Sequence, residues 1–233
     1  MQASCYVALF LAVGSVALAE DSVFEPSALI DDYVAISRAQ QVRLQGASME
    51  VDIRAEVPTL HKSGRLHALR RISALGRITY DALRFEGDHG IKNDVIARYL
   101  TAEAEAFKSA PDLAVTPANY RFKYRGLVAA NDGRVHAFHV TPRRKRVGLY
   151  RGELWLDPNS HLPVRESGRM VKSPSIFLRK IEFVRDYQVQ HGVAIPSRIE
   201  TSVETRIVGK AKLSVAYSSV LLAEASAPAG DNE

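Results

Sequence analysis

The chain has 233 residues, of which 46% are hydrophobic and 24% are charged, and its formal net charge at neutral pH is +5. This composition is typical of a globular protein and argues against a disordered or fibrous chain. A mild basic excess favours contact with anionic surfaces, although many solvated protein surfaces carry a similar excess.

The N-terminal segment has the pattern of an export signal. Residues 1–19 have no charged side chain, and an apolar stretch from Tyr6 to Leu18 ends in small residues before Glu20. This stretch is shorter than the ~20 residues that a membrane-spanning helix needs. We therefore predict a cleaved signal peptide at residues 1–19 and a periplasmic or secreted protein. Because Cys5 is the only cysteine, the mature chain has no disulfide and no thiol chemistry.

Two segments of the first half have a helical pattern. The first begins at Pro26 and the second is predicted to be capped by Asn93 and to end before Pro111. Their apolar residues recur at three-to-four-residue spacing: Leu29, Ile30, Tyr33 and Val34 in the first, and Val95, Ile96, Tyr99, Leu100 and Phe107 in the second. Residues 87–90 are interpreted as a turn.

Most of the remaining chain has the period of two that indicates β-strands with one wet face. In the first half, strands are predicted at 48–57 and, on either side of Gly76, within 64–86. In the second half they are predicted at 120–126, 135–141, 152–156, 164–171, 176–189, 195–208 and 210–221. Short turns such as Asn131-Asp132-Gly133 make consecutive strands antiparallel neighbours. We predict one β domain at 20–222 and a disordered tail at 223–233.

The sequence has no motif that points to catalysis, a cofactor or a metal. His136 and His139 are three residues apart in a predicted strand, so their side chains point to opposite faces. No nucleophile elbow, phosphate-binding loop or metal-binding helix motif is present. The protein is therefore predicted not to be an enzyme, and the export signal argues against nucleic acid as a partner.

The densest charge run is Arg143, Arg144, Lys145 and Arg146. Four cations in a short loop suit the phosphate groups of lipids. The alternative interpretation is a solvated loop that prevents edge-to-edge pairing of strands.

Three segments of the second half resemble one protein family. They are VHAFHVTP at 135–142, GELWLD at 152–157 and LPVR at 162–165. Together they are similar to the lipoprotein-carrier superfamily of LolA-like and RseB-like periplasmic proteins. The resemblance implies an unclosed β-barrel curved around a helix-covered apolar cavity, which the family uses to shield acyl chains or to sense envelope lipoproteins.

We therefore predict an α+β, mainly β fold in which helices cover the concave face of a curved antiparallel sheet. Two helices are too few to bury a long apolar face, which leaves a cavity for a lipid or lipoprotein acyl chain, with ~0.8 kcal/mol gained per buried methylene. Strand parity selects nine cavity residues: Met49, Val51, Ile53, Tyr120, Phe122, Tyr124, Phe138, Ile181 and Phe183. The run 143–146 is predicted to contact anionic head groups, with membrane contact at most peripheral.

Two other classes of function stay open at this point. A sensor or scaffold module would bind an envelope protein along an exposed sheet edge. A hydrolase would need clustered Asp, Glu or His side chains in a pocket. We rank the carrier first, the protein-binding module second and the enzyme third.

Overall fold

A computed structural model describes residues 25–108, 110–130, 133–207 and 209–223, without the side chains of residues 107, 108 and 110. The predicted signal peptide, the turn residues Asn131 and Asp132, and all of the predicted tail except Ala223 lie outside these ranges.

The helical segments occur before and after the first three strands. Helix α1 spans Pro26–Arg43, as its apolar spacing predicts, and a 3-10 turn spans Pro58–Leu60. The second helical region consists of α2 at His89–Ile91, a π-helical turn at Lys92–Ile96, α3 at Ala97–Lys108 and α4 at Ala110–Leu113.

Strands make up most of the described chain. The first three are β1 Ser48–Val57, β2 Lys62–Ile72 and β3 Ile78–Gly87. The others are β4 Tyr120–Ala130, β5 Gly133–Pro142, β6 Tyr150–Leu156, β7 Pro163–Met170, β8 Leu178–Gln190, β9 Val193–Thr205 and β10 Lys210–Leu221. Each strand predicted from the sequence is present, with its ends shifted by a few residues.

All these strands belong to one antiparallel sheet in the order β3-β2-β1-β10-β9-β8-β7-β6-β5-β4. The sheet is curved and is not closed into a barrel, so β3 and β4 remain as edges. Because β4 to β10 are joined by short loops, each strand from β4 to β9 pairs with the next strand along the chain. The prediction of a mainly β fold with helices on the concave face is confirmed.

The start of the second helical region differs from the prediction. Asp88, and not Asn93, is the capping residue, because its carboxylate accepts hydrogen bonds from the backbone N–H groups of Gly90 and Ile91 at 2.8 and 3.2 Å. The proposed turn at 87–90 is therefore already the first helical turn. Asp and Asn have similar capping preferences, so residue type alone does not choose between them.

The helices divide the concave side into two apolar cores. The first core joins β1, β2 and β10 to Ile91 and Ile96 of the second helical region. The second core joins β4, β5, β6 and Phe183 of β8 to Leu29 and Tyr33 of α1. Each helical region therefore covers its own part of the sheet.

Two glycines let β6 and β7 approach each other closely beneath the second core. Gly152 lies directly opposite Gly168, and a Cβ atom on Gly152 would lie 1.9 Å from the Ser167 carbonyl oxygen. A Cβ atom on Gly168 would lie 2.8 Å from the Tyr150 ring, which packs edge-on against Phe183 with the ring centroids 4.9 Å apart. These glycines provide the space in which the two rings pack.

Candidate ligand-binding site

The strand register places the nine predicted cavity residues on the concave face. Residues directly opposite each other in an antiparallel pair share a face. One such row runs from Tyr124 through Phe138 and Arg185 to Ile53, and a neighbouring row includes Phe122 and Phe183. Met49, Val51, Tyr120 and Ile181 follow by strand parity. Their assignment to one face agrees with the structure, whereas their contact with a ligand stays a prediction.

Burial divides these nine residues into two groups. Six belong to the two cores and are at most 7% exposed: Met49, Val51, Ile53, Tyr120, Phe138 and Phe183. The other three, Phe122, Tyr124 and Ile181, are half-buried. The first group therefore holds the fold together, and the second group includes the side chains that a ligand can reach without unpacking a core.

Between the two cores the concave face of β8 and β9 is only half-buried. We call this region the central strip, and it consists of Ile181, Arg185, Tyr187, Thr201 and Val203. Ile181 lies opposite Val203, and Arg185 lies opposite the core residue Ile199. The central strip is thus a half-exposed surface that combines the apolar side chains of Ile181 and Val203 with polar ones, between the parts of the sheet that the helices cover.

A charged network on this face includes Arg185 and Tyr187 of the central strip. The Nη1 atom of Arg185 donates to a carboxylate oxygen of Glu166 at 3.0 Å and to the Tyr187 hydroxyl at 3.4 Å. The Arg185 side chain is 37% exposed and that of Glu166 is 7% exposed. Among the described residues, the buried Nε of Arg185 has no hydrogen-bond partner. This nitrogen is a donor that a ligand oxygen or a water molecule can satisfy.

Electrostatics keep this arginine charged. Burial alone would lower the pKa of Arg185, but the Tyr187 hydroxyl and the Glu166 carboxylate raise it well above its usual value. Burial and the Glu166 charge likewise raise the pKa of Tyr33 on α1, so this phenol stays neutral. The site therefore presents an Arg185–Glu166 ion pair and neutral hydroxyl groups at neutral pH.

A second charged pair attaches α3 to the sheet. Arg70 of β2 donates from Nε to Glu103 of α3 at 3.0 Å, and the Tyr80 hydroxyl donates to the other carboxylate oxygen of Glu103. The side chains of Arg70 and Glu103 are 10% and 19% exposed. Burial and then the Glu103 charge raise the pKa of nearby Tyr217 to about 12. This network fixes the position of α3 over the first core.

One cavity has a volume of about 790 Å³ and lies between α1, the β2–β3 turn and α3. Its size falls within the range of about 300–1,000 Å³ that is usual for small-molecule sites. Its lining combines apolar and cationic side chains, including Val42, Leu75, Ile78, Ala104, Pro111, Arg38 and Arg77. None of the nine predicted residues lines it.

A smaller cleft of about 230 Å³ lies at the predicted basic run. Its cations are Arg121, Arg143, Arg144, Lys145 and Arg151. Arg121 and Arg151 lie on the convex side of the sheet, because their neighbours Phe122 and Gly152 lie on the concave side. Arg146 lies outside the cleft lining and forms an ion pair with Asp112 at 2.8 Å.

No group of three or more His, Cys, Asp or Glu side chains among the described residues is placed to hold a metal ion. In the same part of the chain, no helix has both the length and the apolar character needed to cross a membrane.

The sequence prediction missed the charged members of the site. Glu166 has the strand parity of Val164 and Met170, and Arg70 has that of Leu66 and Ala68. A charged residue on the apolar face of a strand is a recognisable signal, because an unpaired buried charge is costly and needs a partner. The sequence does not disclose which residue that partner is.

Comparison with known proteins gives structural likeness only. No protein-family model matches the chain, and no curated protein sequence matches it either. Solved structures with a similar fold include a LolA superfamily protein from Nitrosomonas europaea, with 13% identity, a TM-score of 0.43, and coverage of 85% of this chain and 93% of that chain. A DUF1329 family protein from Desulfovibrio piger is similar with 11% identity and a TM-score of 0.47, and the match covers 86% of this chain and 94% of that chain.

A third similar structure is the MucA/MucB complex of Pseudomonas aeruginosa, with 12% identity and a TM-score of 0.27, covering 83% of this chain and 100% of that chain. The family that the sequence resembles is thus among the structures similar to this chain. At these identities the likeness is one of fold alone.

Proposed function

We propose that this chain is a cell-envelope binding protein that holds the acyl chain of a lipid or lipoprotein on the central strip. The observation that supports this best is the combination of half-buried apolar side chains with the buried, unpartnered Nε of Arg185. An acyl chain would cover Ile181 and Val203, and its carbonyl or carboxyl oxygen would accept a hydrogen bond from Arg185. Both contacts are favourable, because the first buries apolar surface and the second gives a buried donor an acceptor.

The cavity of about 790 Å³ has no part in this proposal. It lies at the end of the sheet that holds the 73–77 turn, whereas Ile181 and Val203 lie near the loops at 171–180 and 205–210, at the other end.

The test is the binding of a fluorescent fatty acid to the purified protein. We expect Ile181→Asp to weaken binding at least about tenfold, because a carboxylate replaces apolar contact on the strip. Val184→Asp is the matched control, since Val184 is also half-buried in β8 and lies on the convex face opposite Glu200. Equal affinities of the two variants for the probe would contradict the proposal.

A second candidate function, docking of an envelope protein, is supported by the open edges of the sheet. Strands β3 and β4 each pair with a single neighbour, and their Leu83 and Leu127 side chains are 57% and 41% exposed. Such edges can accept an added strand from a partner. Recovery of a stoichiometric envelope protein on native purification, with no extractable lipid, would favour this candidate.

A further inference from the structure

One end of the sheet brings together four loop segments that contain Lys or Arg and no Asp or Glu: 57–62, 142–149, 171–180 and the described residues of 205–210. We call them the basic rim. Strand pairing places them at the same end, since Val57 pairs with Lys62, Glu56 with Lys212, Leu178 with Thr205 and Tyr150 with Met170. In an antiparallel sheet, alternate loops meet at one end, and these are such loops.

Neighbouring segments of the basic rim contact each other. The Val171 N–H donates to the Leu149 carbonyl at 3.0 Å, and the Arg206 N–H donates to the Phe177 carbonyl at 2.9 Å. Gly209 packs so closely on Thr59 that an added Cβ atom would lie 3.2 Å from the threonine methyl group. The four segments therefore form one continuous surface.

The charged residues of this surface are all positive. Its four segments contain ten Lys and Arg residues and no Asp or Glu, although the whole chain has a net charge of only +5. The rest of the chain therefore has a net charge of −5. Of the loops at the opposite end, those at 43–48, 73–77, 157–162 and 189–193 together contain two Lys or Arg residues and one Asp. The basic excess of the protein is thus concentrated at one end.

Most of these cations are available to a partner. Lys62, Arg146 and Lys180 form ion pairs with Asp88, Asp112 and Glu182. Within the described ranges, the other seven form none: Arg143, Arg144, Lys145, Lys172, Arg179, Arg206 and Lys210. All seven are exposed.

The same rim also exposes large apolar side chains. Ile176 is 79% exposed, Ile207 74% and Phe177 53%, with Leu60 and Val147 at 46% and 41%. These residues lie at or beside loop tips in all four segments. Apolar side chains at the tips of adjacent loops, surrounded by cations, differ from the scattered exposed residues of an ordinary solvated surface.

We propose that the basic rim docks the protein on a bilayer that contains anionic phospholipid. Each cation near such a surface is attracted by its negative potential, and apolar tips that enter the boundary between head groups and acyl chains add burial. The cleft formed by Arg121, Arg144, Lys145 and Arg151 lies just behind the rim and suits a lipid phosphate. A soluble acidic protein matches the charge but leaves the apolar tips unexplained.

This inference is independent of the proposed acyl-chain site. The central strip lies on the concave face, whereas the rim consists of loops at one end of the strands and its cleft includes convex-face residues. Variants of the rim leave Ile181 and Arg185 unchanged. A variant can therefore lose membrane docking and keep fatty-acid binding, and the two proposals are tested separately.

The experiment is partition of the full chain between buffer and vesicles of phosphatidylcholine, with or without phosphatidylglycerol. We expect binding only to the vesicles with phosphatidylglycerol, and a steep decrease as salt screens the charges. The charge variant Arg144→Glu/Lys145→Glu is expected to bind at least about tenfold more weakly, and Ile176→Ser/Phe177→Ser to lose binding to a similar extent.

Matched controls lie elsewhere on the surface. Arg84→Glu/Lys123→Glu reverses two exposed charges in mid-strand, and Val189→Ser/Leu221→Ser removes two exposed apolar side chains at the opposite end. Every variant keeps the same N-terminal residues, so any contribution of these residues to vesicle binding is the same in all variants. Three outcomes would each overturn the proposal. The controls could lose binding as the rim variants do, the protein could bind equally to vesicles without phosphatidylglycerol, or it could bind polyglutamate but no vesicle.

Discussion

Replacing Glu103 with leucine is expected to lower the free energy of unfolding by about 3 kcal/mol, because it leaves the guanidinium of Arg70 charged and unpaired under α3. Arg70 is a β2 residue on the apolar face, and its side chain is only 10% exposed. Tyr80 loses its hydrogen-bond acceptor in the same variant. The measurement is the urea midpoint and slope of the variant against those of the parent.

Two further variants separate the loss of a charge partner from a general effect on α3. Arg70→Met/Glu103→Gln removes both charges and keeps an oxygen acceptor for Tyr80, so we expect it to recover to within about 1 kcal/mol of the parent. Asp94→Ala breaks the exposed ion pair between Asp94 and Arg98, in which the two side chains are 71% and 75% exposed. It should lower the free energy of unfolding by no more than about 0.5 kcal/mol. A Glu103→Leu loss as small as that of Asp94→Ala would show that the Arg70–Glu103 pair does not hold the helix.

Replacing Phe138 with alanine is expected to cost about 3–5 kcal/mol of stability, because it opens a cavity in a packed core. Phe138 is fully buried, with the rings of Tyr124 and Phe122 centred 5.2 and 6.2 Å away. Ile181 lies on the same face but is half-buried on the central strip, so Ile181→Ala should cost about 1 kcal/mol or less.

The same pair of variants separates structure from binding among the nine predicted residues. Ile181→Ala should weaken fatty-acid binding although its stability is nearly that of the parent. Titration with the fluorescent fatty acid measures binding, and thermal or urea unfolding measures stability. Equal destabilisation by the two substitutions would mean that the central strip is packed as tightly as the cores.

The sequence predicts the face of a side chain better than its accessibility. Alternation alone places Met49, Val51 and Ile53 on the concave side, because side chains in a strand alternate between the two faces. How much of that face is covered depends on where α1 and α3 lie, and this is decided by contacts between distant segments. The Arg70–Glu103 pair is one such contact, 33 residues apart in sequence.

Local preferences explain the error at the second helical region. Asp88 and Asn93 are both good capping residues, and the apolar stripe from Val95 onward fits either start. The structure begins the helix at His89, where Ile91 fills the first core beside Gly64. Tertiary packing therefore decides which cap is used. In the same way, the run 143–146 is evident in the sequence, whereas its grouping with 171–180 and 205–210 follows only from the strand order.

The most direct test of the central strip is mass spectrometry of organic extracts from natively purified protein. We predict that the parent protein releases a fatty-acyl lipid in a near-constant ratio to protein, that Val184→Asp does the same, and that Ile181→Asp releases little or none. Absence of lipid from the parent, or an equal yield from parent and Ile181→Asp, would contradict the claim that the concave face holds an acyl chain.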